Sequence, residues 1–554
     1  MAISFGRAVN GFSRLRERKL ILPSIGEATF LVAALAPVLA LLTLPIPVLD
    51  DGGLHLGSAS ALQYLLAGDF PEMLEWRPGA PPNVVADLVL LVLLQVLPSI
   101  WALKVLVAAI LLGFAFAARQ VAVATGVAAP WATMLLPFAW HRPLAMGFLG
   151  FSAAVALALV AISLVLGCPT RPPVRPLAAL LAVTWLTHLV PALIGTAVCF
   201  AVVVAGTVAS RQSGAELRLR RPLRDMVLAS IPVLLLTLTF TALNPPGSAA
   251  VQPGSVARRI VSVVGMIKAD VSSVPAEYAI YGLAAAILYV LTGAILLVRL
   301  RGGWRVRPVD ALLVSALFGF VAAVLLPDAI SGGGSYLGLR IALFPPLLLA
   351  AWVAAHLGSN ELPLGRTQVT AVVALMGIFS LLLVAVRLPA QRANAALAVE
   401  TRELARCLPE RSTVIQLRLD NLRAVAEQTN PLSNQVGLFA TDRKSLDVGN
   451  ESGWVPYYLW RYRENQSADR VLATKPYGAT SSPPRVDLAG ALRKGVRLDG
   501  ILLIGRSSAP PAVLDDGPTH QILADLEANY ERVATSSRGG FELWLRTGMS
   551  DTCG

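Results

Sequence analysis

Phe30 to Val48 reads FLVAALAPVLALLTLPIPV, a stretch without a single charge. As a helix it is long enough to cross the roughly 30 Å hydrocarbon core of a bilayer. A basic segment precedes it, with Arg7, Arg14, Arg16, Arg18 and Lys19 against Glu17. The stretch is too long for the apolar region of a cleavable signal peptide, and no A-x-A-like site closes it. It reads as a signal-anchor and a first span.

Working outward, the first block covers about 27–48. Further apolar blocks fall near 83–97, 101–118, 128–140, 144–167, 176–190, 192–208, 226–243, 279–298, 308–326, 340–357 and 368–387. If all twelve crossed, Arg171 and Arg175, and the run Arg211, Arg218, Arg220, Arg221 and Arg224, would face outward, against the positive-inside tendency. Removing one crossing before residue 119 puts every basic loop on the cytoplasmic side. The block to remove is 83–97, which is short and carries Asp87 and Gln95. It reads as a re-entrant or interfacial helix, tolerated at that depth where protein or a water-filled cavity covers it. The other solution, in which 83–97 crosses and 128–140 does not, keeps the same outer C-terminus.

Composition agrees with this reading. Of the 554 residues, 55% are hydrophobic and 14% charged, against about 25% charged in globular proteins. The net charge of +12 sits in arginine clusters between apolar blocks, where it sets orientation and does not mark nucleic-acid binding. From about residue 388 charges become frequent and apolar runs shorten. Thr413–Leu419 and Gly500–Ile504 read as buried strands, His520–Tyr530 as a helix and Phe541–Leu545 as a closing strand. No glycine-rich nucleotide fingerprint and no internal repeat is present. The expected architecture is a polytopic α-helical bundle of about eleven crossings plus one re-entrant or interfacial helix, in residues 1–387. A soluble, extracytoplasmic α/β domain follows in 388–554.

Four cysteines divide into two kinds. Cys168 and Cys199 lie in or beside apolar blocks, where a thiol is a small hydrophobe. Cys407 and Cys553 flank the C-terminal domain, and an extracytoplasmic compartment permits them to form a disulfide.

The first outer loop, about 49–82, is the most unusual segment. It holds Asp50, Asp51, Asp69, Glu72 and Glu75 against Arg77, with His55 and Trp76. Asp51 and His55 share a face if Leu54–Leu66 is helical and the helix starts early enough. A carboxylate beside an imidazole at a bilayer surface suits proton abstraction from a hydroxyl. The same residues also read as a topological acidic loop in which Asp50 and Asp51 cap a helix. Threading the spans brings His141-Arg142, His188, Arg258, Arg259, Lys268, Asp270, Glu277, Asp328 and Arg340 to this face. Singly, each reads as a helix-end hydrogen bond or a snorkelling cation. Together, cations opposite an acidic loop are what an anionic lipid phosphate and a catalytic base require. The span interiors are nearly free of ionisable groups, Lys104 near a span end being the main exception, so the chemistry belongs to one face and not to a pore. Gly453-Trp454-Val-Pro-Tyr457-Tyr458-Leu-Trp460-Arg-Tyr462 reads as domain core, a membrane belt or a sugar platform.

This layout resembles the GT-C superfamily of integral-membrane glycosyltransferases, in particular a bacterial branch with D-x-x-x-H after the first span. Asp51-Gly-Gly-Leu-His55 fits that motif, and Pro82-Asn83-Val-Val-Ala-Asp87 fits the P-N-x-x-x-D that follows it. His141-Arg142-Pro-Leu-Ala-Met-Gly147-Phe148-Leu149-Gly150-Phe151 matches a basic residue before a G-F-L-N-Y-like segment, and His188-Leu189 a later His-Leu pair. The likeness covers most of 27–357 and is weak in the C-terminal domain. Gly150 and Phe151 replace Asn-Tyr, and Gly53 stands where the branch often has proline.

The resemblance implies a polyprenyl-phosphate or pyrophosphate sugar donor and inverting transfer on the outer face of a bacterial plasma membrane, to a glycan, lipid or protein acceptor of the cell envelope. It makes Asp51 the catalytic base, with Asp50 beside it, and gives His55 an orienting or phosphate-contacting role. It places Asn83, Asp87, His141, Arg142, His188, Arg258, Arg259 and Arg340 in substrate or phosphate binding. A divalent metal is compatible with this chemistry, although no ligand set for one stands out. Competing readings are a flippase or transporter of a lipid-linked glycan, a polysaccharide polymerase or ligase, and a non-catalytic envelope scaffold.

Overall fold

A computed structural model describes residues 25–77, 79, 81–214, 219–245, 249–250, 255–266, 271, 274–327, 329–330, 336–359, 366–420, 434–453, 455–463, 466 and 484–549. The basic N-terminal segment, Arg218, Lys268, Asp270, Asp328, Trp454 and Cys553 lie outside the described residues.

Helices α1 (Ile25–Thr43), α2 (Gly52–Ala67), α3 (Val84–Leu94) and α4 (Ser99–Ala124) are followed by a 3-10 helix over Ala129–Phe138 and a single turn, α5 (Arg142–Ala145). Then come α6 (Leu149–Gly167), α7 (Val174–Thr187), α8 (Leu189–Gln212), α9 (Arg220–Leu243), α10 (Val256–Val264), α11 (Pro275–Arg301), α12 (Asp310–Leu325), α13 (Leu337–Ala342), α14 (Phe344–Leu357) and α15 (Arg366–Leu404). Eight helices among the described residues are long and apolar enough to cross a membrane, α13 and α14 counting as one, and α3, α7 and α12 are shorter apolar helices.

Packing sorts the helix ends onto two faces. On one, Gly358 abuts Val127 and Trp131, Gly206 abuts Pro169, and Val306 N donates to Gln212 Oε1 at 2.9 Å. On the other, Gly147 lies against Asp51, Gly150 against the Thr187 carbonyl, and Arg259 donates to the Val324 carbonyl at 3.0 Å. The 3-10 helix runs between these faces, from Val127 to Trp140, whose carbonyl accepts from Arg387. With α7, α12 and this segment, eleven stretches run face to face among the described residues. An apolar block does not distinguish 3-10 from α. Here Pro130 and Pro137 withhold amide hydrogens, and ten residues at about 2.0 Å rise cover about 20 Å.

Helix α3 does not cross. Its start lies beside Gly150, and Ser99, just beyond its end, donates to Asp442 of the C-terminal domain at 2.5 Å. Both ends therefore share the site face. Lys104, the charge near a span end, donates to the Leu44 carbonyl at 2.5 Å and so closes the C-terminal end of α1. On the opposite face the Arg299 guanidinium, Trp352 Nε1 (3.0 Å) and His356 Nε2 (3.2 Å) surround Asp310 and tie α11, α12 and α14 together.

The composition change at 388 falls inside α15, which runs on to Leu404 and delivers the chain to the sheet. Strands β4 (Thr413–Arg418), β5 (Leu446–Asp447), β7 (Gly500–Ile504), β8 (Tyr530–Thr535) and β9 (Phe541–Arg546) order as β5-β4-β7-β9-β8. The β5-β4-β7 part is parallel and the β7-β9-β8 part antiparallel. Leu54, Leu62, Phe70 and Leu74 of the segment 49–82 share one apolar cluster with Ile415, Trp460, Leu503 and Leu526. Short strand β1 (Leu74–Trp76) of that segment pairs with β6 (Trp460–Tyr462), and two-residue strands β2 (Ala249–Ala250) and β3 (Ala329–Ile330) pair antiparallel elsewhere. Residues 49–82 are thus part of the core of the C-terminal domain. Cys168 and Cys199 are free thiols, and Cys407 is disulfide-bonded.

Candidate active site

The chain leaves α1 through Leu44–Pro47 and is strapped to the turn after α5. Asp50 N donates to the Ala145 carbonyl (3.3 Å) and Asp51 N to the Met146 carbonyl (3.0 Å). Gly147, at φ 82°, permits this contact, since a Cβ there would stand 2.7 Å from Asp51 N. Asp51 occupies the N-cap position of α2, but its side chain does not cap that helix. Its Oδ1 instead accepts from Asn434 Nδ2 at 3.0 Å. Burial pushes this carboxyl up to about 6, with His55, Arg340 and Asn434 pulling partly the other way.

His55, one turn on, is fully engaged. Its Nδ1 meets Asp87 Oδ1 at 2.7 Å, Asp87 Oδ2 accepts from Ser58 Oγ at 2.6 Å, and Ser58 Oγ accepts from Trp460 Nε1 at 3.0 Å. A backbone hydrogen bond with Gly147 adds to this. Burial opposes charge on the imidazole, but the Asp87 carboxylate and these hydrogen bonds outweigh it and hold the group above its ordinary value. His55 is thus tied to Asp87 and Gly147 beside Asp51, and its environment favours the protonated imidazole. Asp87, 2% exposed, is spent on His55.

Arg340, on α13, stacks over the Phe148 ring at 4.4 Å and keeps a buried Nε without a hydrogen-bond partner. Asp51, His188, Tyr336, Tyr457 and Tyr458 are within its electrostatic reach. His188 caps α8 by accepting from Val190 N at 3.1 Å, and His141 caps α5 by accepting from Leu144 N at 3.1 Å. Phe151 meets both imidazoles edge-on, at 5.3 and 6.2 Å, so the phenylalanine that replaces tyrosine fills the space between them. Asn83, at φ 71°, holds a buried Oδ1 without a partner. It lies beside Gly150, where a Cβ would meet the Thr187 carbonyl at 2.7 Å. That close approach accounts for glycine in place of asparagine.

The remaining expected residues are more peripheral. Arg142 opens α5 next to His141. Asp50 faces Arg418 of β4 across the domain boundary. Arg258 is exposed, and Arg259 donates to the Val324 carbonyl at 3.0 Å from α10, a helix flanking α13. Glu277 is buried and accepts from Arg387 Nε at 2.8 Å, while Arg387 Nη2 donates to Tyr281 Oη at 2.7 Å. The aromatic run 453–462 divides. Trp460 and Tyr462 are domain core, whereas the Tyr458 ring centroid is 6.4 Å from that of His55 and Tyr457 lies against Phe240. Asn434, Arg418 and Arg387 escaped the sequence reading. They are hundreds of residues from Asp51 or bracketed by apolar runs, and no local pattern marks them. Among the described residues no three His, Cys, Asp or Glu side chains group to hold a metal ion.

No protein-family model and no curated protein matches the sequence. Among solved structures the chain is similar to ArnT from Cupriavidus metallidurans in the apo state, at 13% identity over 99% of each chain with a TM-score of 0.47. It is also similar to the same protein bound to undecaprenyl phosphate, at 13% identity over 95% of this chain and 98% of that one, with a TM-score of 0.48. Overlap at this level says nothing of individual residues.

Proposed function

We propose that this chain is a membrane glycosyltransferase of the GT-C kind, moving a sugar from a polyprenyl-phosphate or pyrophosphate donor to an acceptor hydroxyl on the outer face of the membrane. The observation that carries the reading is the placement of Arg340 within electrostatic reach of Asp51. A half-buried carboxylate held near 6 faces a guanidinium with an unused donor, at one membrane face. In the reaction Asp51 accepts the acceptor's hydroxyl proton as that oxygen attacks the anomeric carbon. The bond from anomeric carbon to phosphate oxygen breaks on the opposite side, so configuration inverts. The electron pair leaves on the phosphate, which Arg340 binds. His55, whose environment favours its protonated form, favours the ionised Asp51. A base with a value just below the working pH is both available and strong enough to serve.

The test is transfer from a polyprenyl-phosphate sugar in proteoliposomes. Asp51→Asn keeps the side-chain size and should lower turnover by about 10²–10⁴ with donor binding retained. Monodispersity of the variant is checked in parallel. Full turnover by Asp51→Asn removes Asp51 as the base. Absence of transfer by the unaltered protein from any lipid-linked sugar turns the reading toward transport or scaffolding.

A further inference from the structure

Asn434 is separated from Asp51 by 383 positions, yet it reaches that carboxylate from the other domain. Both hydrogens of its amide are used on adjacent residues: Nδ2 donates to Asp51 Oδ1 at 3.0 Å and to the Asp50 carbonyl at 3.1 Å. This fixes which end of the amide faces the acid. The backbone at 434 is pressed onto α2, where a Cβ on Gly53 would lie 1.8 Å from the Asn434 carbonyl oxygen. The helix that Asn434 opens, α16 (Gln435–Asp442), is anchored in turn. Gln416 Oε1, from β4, accepts from Gln435 N at 2.9 Å and Val436 N at 3.4 Å, and Thr401 of α15 donates to Gln435 Oε1 at 3.4 Å. The backbone that carries Asn434 is thus fixed on both sides, by α2 and through the residues that follow it, and the side chain it presents is aimed at one carboxylate oxygen.

We infer that Asn434 is a positioning residue for the Asp51 carboxylate, so that the C-terminal domain completes the active site. The inference rests on Asp51 being the base. Charged groups face Asp51 from several elements: His55 on α2, Arg340 on α13, the adjacent Asp50 with Arg418 of β4 beyond it, and Asp87 of α3 behind His55. Asn434 is the neutral member, and it favours the ionised acid by donating to it.

The full-length protein is compared with Asn434→Ser, Asn434→Ala and Asn434→Asp, measuring kcat and donor KM across pH. Asn434→Ala should lower kcat about tenfold and move the acid limb of the profile up by about one pH unit, with donor KM unchanged. Asn434→Asp should move it further, because a second carboxylate beside Asp51 disfavours ionisation. Asn434→Ser, which keeps a donor, should fall between Asn434→Ala and the unaltered protein. Equal losses in all three variants with the acid limb in place would mean a merely structural role and overturn the inference. A second readout needs no substrate. The difference in melting temperature between the unaltered protein and Asp51→Asn, followed against pH, reports the titration of Asp51. Its midpoint should rise when Asn434 is alanine in both, and an unmoved midpoint also overturns the inference. Full activity of Asp51→Asn would instead overturn the assignment of the base, and the melting series would still judge the Asn434 contact.

Discussion

Gly53→Ala adds one methyl group at the tightest contact between bundle and C-terminal domain. The new Cβ would stand 1.8 Å from the Asn434 carbonyl oxygen and 3.0 Å from its carbon. Non-bonded heavy atoms sit near 3.5 Å, so α2 and α16 must separate by more than about 1 Å. Overpacking of this kind costs about 1–3 kcal/mol, and losing the Asn434 hydrogen bond to a charged acceptor adds a comparable amount. A total on the order of 4 kcal/mol would lower the ratio of docked to undocked domain by roughly 10³. Docking can be read directly. Ser60 Oγ and Thr441 Oγ1 are 2.8 Å apart across this interface, so Ser60→Cys with Thr441→Cys should cross-link on mild oxidation, and Gly53→Ala should suppress the link along with turnover. Gly53→Pro sharpens the test. Proline is tolerated in the first turn of a helix, so α2 survives while the clash remains. Cross-linking and turnover at the unaltered level in Gly53→Ala would refute the reasoning.

Asp87→Asn removes the carboxylate that raises His55 above its ordinary value. Because the folded value of His55 is raised, its stabilisation is present in full below its ordinary 6.5 and is lost as pH rises through the folded value. The variant should therefore melt well below the unaltered protein at pH 5.5, by about 3 kcal/mol, and the gap should narrow toward pH 9; an equal gap at both pH values contradicts the account. Arg340→Ala should raise donor KM about 10- to 100-fold with the fold intact, as expected for a lost charged hydrogen bond, and an unchanged donor KM removes Arg340 from phosphate binding. Cys407 and Cys553 should appear as one disulfide-linked peptide pair in non-reducing mass spectrometry, a closure that the chain-entropy model values at about 4–5 kcal/mol. Finding Cys553 as a free thiol in oxidatively handled protein would count against the pairing.

What the sequence made legible follows from distance along the chain. Spans announce themselves through composition, and the polar pair Asp87 and Gln95 inside a short block gave away the helix that stays at one face. Asp51 and His55 could be joined because four residues make one helical turn. The strands at 413–419, 500–504 and 541–545 were readable as apolar runs, whereas Tyr530–Thr535 became a strand after a helix expected to include its first residue. The tertiary partners were not readable. Nothing local in Asn434 says that it will meet an acid 383 positions away, and nothing in Glu277 names Arg387 as the residue it accepts from. The replaced motif positions are instructive in the same way. Gly53 and Gly150 look like lost functional residues in sequence, and in space each is a place where another backbone comes too close for a side chain.

Helix α2 joins the two halves through its periodicity. Asp51, His55 and Ser58 recur at intervals of four and three, and so do Gly53, Gly57 and Ser60, displaced by two residues. With 3.6 residues per turn, the two stripes lie about 160° apart, on nearly opposite sides of the helix. The first stripe carries the Asp51 carboxylate, with the His55 imidazole and the Ser58 hydroxyl that meet Asp87 of α3; Ser58 also accepts from Trp460. The second is small, and it lets Gly437 and Asn450 of the C-terminal domain come within contact of the α2 backbone; Asn450 Nδ2 donates to the Leu54 carbonyl at 3.0 Å. Apolar residues of α2 also pack both ways: Leu56 and Ala59 join the core of the bundle, Leu54 and Leu62 that of the C-terminal domain. The bundle side has polar groups that must be paired, and the domain side has glycines that weaken a helix unless something packs on them. Helix α2 is thus packed by bundle and domain together, and the Asp51 at its start meets Asn434 of the domain.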